Sequence, residues 1–101
     1  MAEGEVIRLI PNSVNVAGVE YEVKEVQGIN DRFNTLGMVN YAKSLIELES
    51  DMSPTKKEQI FVHEILHACF SEAGFDEQDE DMVNRVSIVL YQVLKNNKLI
   101  F

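Results

Sequence analysis

Apolar and polar residues alternate most clearly in the first half of the chain. Residues Val19–Val26 largely follow a period of two, which is the pattern of a half-buried β-strand. Leu36–Tyr41 and Ser44–Leu48 predict two further strands, and because so few residues separate them they can pair only as an antiparallel hairpin. Val6–Ile10 predicts an edge strand or an N-terminal arm, and the polar segment Gln27–Asn34 predicts a loop.

Helical signals begin near the middle of the chain. Ser53 is a preferred N-cap, and Pro54 fits the first helical position because its missing N–H would have no helical partner there. These residues predict a helix over roughly 54–73. Its second half is apolar almost all round, so it should be buried on most sides. Gly74 is the natural residue to end this helix.

A second helix is predicted over roughly 77–97, with Asp76 as its N-cap. Its apolar residues recur at helical spacing and form a stripe of Met82, Val83, Val86, Val89, Leu90, Val93 and Leu94. Beside the stripe runs a polar or amphipathic column that is expected to face the first helix, made of Glu80, Asn84, Ser87 and Tyr91. The chain is therefore expected to be an α+β domain. A small antiparallel sheet of three to four strands, roughly residues 6–48, packs on two C-terminal helices.

Composition narrows the classes of function. A chain of 101 residues has the size of one domain, so a single domain over 1–101 is expected. A net charge of −8 argues against nucleic acid as a partner. No apolar run approaches the ~20 residues of a membrane helix, so no membrane partner is expected. The acidic N-terminus lacks the features of a secretory signal, which makes the cytoplasm the expected location. The lone Cys69 suits a reducing compartment and is expected to be buried.

The first helix contains the motif H-E-x-x-H at His63, Glu64 and His67. Residues four apart lie on one face of a helix, so the two imidazoles can bind one Zn²⁺ ion. Glu64 lies about 100° round the helix from the first histidine, where its carboxylate can act as general base on a metal-activated water. Because the surrounding helix is apolar, these polar side chains need partners, and a metal ion supplies them.

A catalytic zinc ion usually takes three protein ligands, and the chain has no third histidine. The third ligand is therefore expected among the acids that follow the motif. Glu80 is preferred, because it occupies a helical position where an apolar residue would be usual and because it begins the polar column. Asp81 and Glu77 remain the alternatives.

The motif at 63–67, a short loop and the segment Glu80–Arg85 together resemble the ImmA/IrrE-type metallopeptidases of the gluzincin class. The resemblance is closer to the small phage- and prophage-encoded minimal zincins, and it covers roughly residues 19–97. It implies a zincin-like fold in which a glutamate on the second helix, here Glu80, completes the metal site. The usual ending of that helix in the family is replaced here by Val86–Tyr91.

These features predict a zinc-dependent metallopeptidase with His63, His67 and Glu80 as ligands and Glu64 as the base. The expected partner is a protein or peptide substrate, which the resemblance suggests is a regulatory protein. Strand Ser44–Leu48 is expected to form the edge of the cleft and to hold an extended peptide. The alternative is a zinc-stabilised binding or regulatory module without turnover, encoded by a mobile element. Neither Tyr41 nor Tyr91 is assigned to chemistry, and packing roles are expected for both.

Overall fold

A computed structural model describes residues 10–99 and 101 of the chain. An N-terminal sheet region is followed by two long helices, which confirms the predicted α+β fold. The elements in chain order are β1 (Ser13–Val16), β2 (Val19–Val26), α1 (Ile29–Phe33), β3 (Gly37–Asn40), β4 (Leu45–Glu49), α2 (Pro54–Glu72) and α3 (Glu80–Asn97). Within the described residues, no helix is both long enough and apolar enough to cross a bilayer.

The four strands form one sheet in the order β1-β2-β4-β3. β3 and β4 pair antiparallel, which confirms the predicted hairpin. β2 and β4 pair in parallel, with Val23 opposite Ile46, so the sheet is mixed and the expectation of a wholly antiparallel sheet was wrong. The reason is topological: the chain leaves β2, passes through α1 and β3, and returns beside β2 in the same direction. Periodicity identifies strands but not their order in the sheet.

This order corrects the expected position of the cleft edge. β4 is hydrogen-bonded to β2 on one side and to β3 on the other. Its backbone groups are therefore occupied, and Ser44–Leu48 offers no edge to a peptide. Among the described strands, β3 is the outer one on this side of the sheet.

β1 was not predicted from the sequence. It pairs antiparallel with β2 through a tight turn at Ala17 and Gly18, which have φ angles of 53° and 87°. Two positive φ angles are the geometry that joins adjacent twisted strands, although alanine is an unusual residue at the first of these positions. The expected strand at Val6–Ile10 lies outside the described residues except for Ile10, which is buried in the core.

The predicted loop Gln27–Asn34 contains the short helix α1. Its first turn is held by the carboxylate of Glu49, which accepts hydrogen bonds from the backbone N–H of Asn30 at 2.8 Å and of Gly28 at 3.3 Å. These backbone hydrogen bonds, that of Asn30 foremost, lower the pKa of Glu49. Because this partner comes from β4, about twenty residues away, no local pattern could have predicted it.

Helix α2 lies between the sheet and α3. Its residues Phe61 and Ala68 join a core with the sheet residues Tyr21, Ile46 and Leu48. In the second half of α2 every residue except Cys69 is buried or half-buried, as predicted for a helix that is apolar almost all round. Cys69 itself is exposed, so the expectation that it is buried was wrong.

The predicted ends of α2 are confirmed. The hydroxyl of Ser53 accepts a hydrogen bond from the backbone N–H of Lys56 at 3.3 Å, as an N-cap does. At the other end Gly74 has a φ of 98° and donates its N–H to the carbonyl of Ser71. This left-handed glycine ends the helix in the expected way.

The predicted start of the second helix was wrong. The N-cap of α3 is Asp79, whose carboxylate accepts a hydrogen bond from the N–H of Met82 at 3.2 Å, and not Asp76. The helix therefore begins at Glu80 instead of residue 77. Several acids in this segment are good caps, so composition alone could not choose among them.

Candidate metal site

The two histidines of the motif lie side by side on α2. Their ring centroids are 4.9 Å apart, and both side chains are largely shielded from solvent. This is the arrangement that the four-residue spacing predicts on one helix face. Their Nε2 atoms point to the same place, between α2 and the start of α3.

Glu80 fills that place from the other helix. One carboxylate oxygen lies 3.0 Å from Nε2 of His63, and the other lies 2.9 Å from Nε2 of His67. The three side chains can offer ligand atoms that all lie within 4.8 Å of one another. Because Glu80 is the first residue of α3, the N-cap at Asp79 fixes the position of its backbone.

The alternative third ligands lie outside this cluster. Asp81 is turned toward Arg85, at 3.5 Å across one helical turn. Glu77 is exposed in the connection between the helices. Among the described residues, the group of side chains with metal-binding geometry contains Glu80 and neither of these acids.

The other ring nitrogen of each histidine also has a partner. Nδ1 of His67 lies 2.6 Å from Oε1 of Gln78. Nδ1 of His63 lies 3.4 Å from the hydroxyl oxygen of Ser87, whose own proton is donated to the carbonyl of Asn84. Gln78 and Ser87 therefore both act as acceptors. Acceptors at Nδ1 hold an imidazole in the orientation and tautomer that a metal ligand needs.

Each imidazole thus has an acceptor at both nitrogens. A neutral imidazole carries only one N–H, so it can satisfy one acceptor and leaves the other nitrogen lone pair against an oxygen. Burial lowers the pKa of His63, which works against a second proton, although the Glu80 charge raises it. A cation between the Nε2 atoms and the carboxylate would remove this conflict for both rings at once.

The two nitrogen–oxygen distances at Glu80 come close to those around such an ion. A tetrahedral zinc ion with bonds of roughly 2.0–2.1 Å separates its ligand atoms by about 3.4 Å. The Nε2–oxygen distances of 2.9 and 3.0 Å would have to open by about half an ångström. Since the Glu80 side chain is 70% exposed, it can make that movement without disturbing the core.

Glu64 is buried beside this cluster, with 6% of its surface exposed. Burial, reinforced by the charge of Glu80, raises the pKa of Glu64 to about 8. On its other side is the edge strand. A Cβ atom added at Gly37 would lie 2.8 Å from Oε2 of Glu64, so only glycine lets β3 approach the helix this closely.

Tyr41 follows β3 directly and reaches the same region. Its hydroxyl oxygen lies 3.4 Å from Nε2 of Gln78, the residue that contacts His67. Burial raises the pKa of Tyr41, the charges of Glu64 and Glu80 raise it further, and the hydrogen bond from Gln78 opposes them. The phenol therefore lies close enough to feel both carboxylates.

Gln78, Gly37 and Ser87 were not predicted as site residues. Ser87 had a signal, because it belongs to the polar column that was expected to face α2. Gln78 had none, since a glutamine in a loop becomes a histidine partner only when α2 and α3 pack together. Gly37 carried no signal that distinguished it from a glycine in a turn.

Comparison of the chain with models of protein families, with curated proteins and with solved structures found no match. The resemblance to ImmA/IrrE-type metallopeptidases accordingly stays a prediction from the motif.

Proposed function

We propose that this protein is a zinc-dependent metallopeptidase whose ligands are His63, His67 and Glu80. The observation that carries the proposal is the pair of imidazoles that face acceptors at both nitrogens, with a carboxylate shared between them. Two imidazoles and one carboxylate are a common ligand set of catalytic zinc, and they leave one position open.

A zinc ion held by these residues would supply Lewis acidity to a water molecule and to the carbonyl of the scissile peptide bond. The chain's own contribution is the buried carboxyl group of Glu64. As general base it takes a proton from the attacking water, and as general acid it passes that proton to the leaving amine. A carboxyl group whose pKa lies near neutrality is suited to both transfers, and burial moves Glu64 in that direction.

The edge strand β3 gives the proposed substrate a place to bind. Among the described residues it pairs with β4 on one side only, so its outer backbone groups are available to an added strand. Gly37 at its start lies against Glu64, and Tyr41 follows its end, so a peptide along this edge would pass the base. Strand addition also suits an unfolded or extended segment of a protein substrate, since its affinity comes from main-chain hydrogen bonds.

The test combines metal analysis with proteolysis of fluorescently labelled β-casein by protein purified without a histidine tag. We expect about one zinc per chain in the wild type and in Glu64→Gln, with cleavage lost only in the latter. Glu80→Gln should lose zinc affinity, whereas the matched control Asp81→Asn should keep both zinc and cleavage. Undiminished cleavage by Glu64→Gln would exclude Glu64 as the base.

A second candidate is a zinc-stabilised module without turnover. It is favoured by the limited packing of α3, in which only Val83 and Ser87 are fully buried. An ion that joins Glu80 to α2 would then matter mainly for holding the two helices together. Zinc-loaded protein that cleaves no peptide at all, in wild type and variants alike, would favour this candidate.

A further inference from the structure

A chain of hydrogen bonds leads from the metal site to the edge strand. Nδ1 of His67 lies 2.6 Å from Oε1 of Gln78, and Nε2 of Gln78 lies 3.4 Å from the hydroxyl oxygen of Tyr41. The three residues come from α2, from the connection before α3, and from the position after β3. Neither Gln78 nor Tyr41 is needed for the proposed ligand set.

The direction of each hydrogen bond in this chain can be deduced. The amide nitrogen of Gln78 also lies 3.3 Å from the backbone carbonyl oxygen of His67, which can only accept. Nε2 must therefore be the NH₂ group, and the oxygen of the amide faces Nδ1–H of His67. Rotating the amide by 180° would place oxygen against carbonyl oxygen and is excluded.

It follows that Tyr41 accepts a hydrogen bond from Gln78. An amide NH₂ group has no acceptor capacity, so the phenolic proton of Tyr41 cannot be directed back at it. That proton is directed away from Gln78 and can be donated to a bound ligand. The side chain is 42% exposed, so the hydroxyl group can reach a ligand that lies along the outer edge of β3.

We propose that Tyr41 donates a hydrogen bond to the carbonyl oxygen of the scissile bond as that oxygen gains negative charge, and that Gln78 is the positioning residue that aims it. This inference rests on the proposed peptidase function. No proton is transferred by Tyr41, since it acts as a fixed donor to an oxyanion, a type of contact whose removal costs about 10²–10³ in rate in other hydrolases. Burial raises the pKa of Tyr41, which keeps the donor protonated at neutral pH.

The test compares two zinc-directed inhibitors with the same peptide sequence. One is a phosphonamidate, whose charged phosphoryl oxygen imitates the oxyanion, and the other is a thiol, which has no such oxygen. Tyr41→Phe should weaken phosphonamidate binding roughly 10–100-fold and leave thiol binding unchanged. The matched control is Tyr91→Phe, since the Tyr91 hydroxyl bonds Glu58 instead of Gln78. It should change neither affinity.

Gln78→Met tests the positioning role. The methionine side chain has a similar length but no NH₂ group, so it cannot donate a hydrogen bond to Tyr41, and it puts no oxygen against the backbone carbonyl of His67. The ratio of phosphonamidate to thiol affinity should fall as it does in Tyr41→Phe, and the double variant should lose no more than either single variant. Effects that multiply in the double variant would show that Gln78 does not act through Tyr41.

Phosphonamidate binding by Tyr41→Phe that equals wild-type binding would overturn the inference. The readout does not depend on turnover, so the two proposals can fail separately. A selective loss in Tyr41→Phe without any peptide cleavage by the wild type would contradict the peptidase and leave the donor geometry supported. Cleavage by the wild type, together with phosphonamidate binding that is equal in Tyr41→Phe and wild type, would support the peptidase and overturn the role of Tyr41.

Discussion

Glu64 is the single residue whose chemistry depends most on its surroundings. A carboxyl group in water has a pKa near 4.5, and burial against Gly37 together with the charge of Glu80 raises that of Glu64 to about 8. In the protein without metal this group therefore prefers its protonated form. Both the proposed catalytic role and a measurable cost to stability follow from the same burial.

The number of protons that each state binds determines how the stability depends on pH. Between pH 4.5 and 8 the folded state holds a proton on Glu64 that the unfolded state has lost, so unfolding releases it and stability falls as the pH rises. Glu64→Gln mimics the protonated group at every pH. We expect its stability advantage in metal-free protein to grow by roughly 1.4 kcal/mol per pH unit across this range. Urea unfolding in EDTA at pH 5 and pH 7.5 measures it. An advantage that does not change with pH would contradict the raised pKa.

Gly37 permits the contact between β3 and the helix. Gly37→Ala would place a Cβ atom 2.8 Å from both Oε2 of Glu64 and Cγ2 of Ile60, so the strand or the base must shift. Overpacking of this kind costs about 1–3 kcal/mol of stability. We expect zinc content to be retained and β-casein cleavage to fall at least tenfold.

Gly18→Ala is the control for that variant. Gly18 lies in the β1–β2 turn, at the other side of the sheet. An added Cβ atom there meets no atom within 4 Å, but the φ of 87° is strained for any residue other than glycine. Gly18→Ala should lower stability and keep the activity per folded molecule. Equal activity of Gly37→Ala and wild type would show that the close approach is unimportant for the base.

At the scale of elements, α3 shows where periodicity misleads. The predicted apolar stripe includes Val83, which is fully buried, but Met82, Val86 and Val89 are exposed. The helix turns its polar column toward α2, as expected, although Asn84 of that column is exposed. The reason lies on α2, where two histidines and a glutamate need polar partners that an apolar face cannot supply. A stripe in the sequence identifies the apolar face of a helix. Which face is buried depends on the groups that the neighbouring helix presents to it.

A buried ion pair anchors the far end of this helix pair. Glu58 is largely buried and accepts hydrogen bonds from Nζ of Lys95 at 2.8 Å and from the hydroxyl of Tyr91. Burial by itself would raise the pKa of Glu58, but these two donors outweigh it and lower the pKa. The pair therefore stabilises the fold at neutral pH, and its contribution is lost as the pH falls through the folded pKa.

Lys95→Met should destabilise the protein by about 1 kcal/mol at pH 7, because Lys95 is half-exposed and water screens part of its charge. The cost should shrink only as the pH falls below 4.5 and through the lowered pKa of Glu58, where its carboxylate takes up a proton in the folded state. Urea unfolding at pH 7 and pH 3 measures the difference. The control Arg85→Met breaks an exposed pair with Asp81 and should have no measurable effect at either pH. A cost for Lys95→Met that is independent of pH would point to lost packing and not to charge.

In the whole molecule, the residues of the candidate site come from three elements that meet at one corner. The edge strand β3 is followed by Tyr41, the second half of α2 carries the motif, and α3 begins with Glu80. The sequence predicted that the two histidines of the motif lie side by side, because residues four apart on a helix share a face. It did not predict the sheet order or the contacts of Gln78, because both depend on packing between distant segments.

An ion at this corner would couple α3 to the rest of the fold. Zinc added to metal-free protein should raise the Tm by several degrees, as binding to the folded state alone requires. Glu80→Ala should remove most of the rise, whereas Glu64→Gln should keep it. Differential scanning calorimetry with and without EDTA measures these shifts. A rise of equal size in Glu80→Ala would show that zinc does not join the two helices.

The proposed site holds one zinc ion between two imidazoles and a carboxylate, and X-ray absorption at the zinc edge detects such ligands. Protein purified without a histidine tag should contain one zinc per chain, with two imidazole nitrogens at roughly 2.0–2.1 Å and oxygen as the remaining neighbours. His67→Ala should lose one of the nitrogens or the metal itself. Protein that takes up no stoichiometric zinc, or a spectrum in which the sulfur of Cys69 is a neighbour of zinc at about 2.3 Å, would contradict the proposed ligand set.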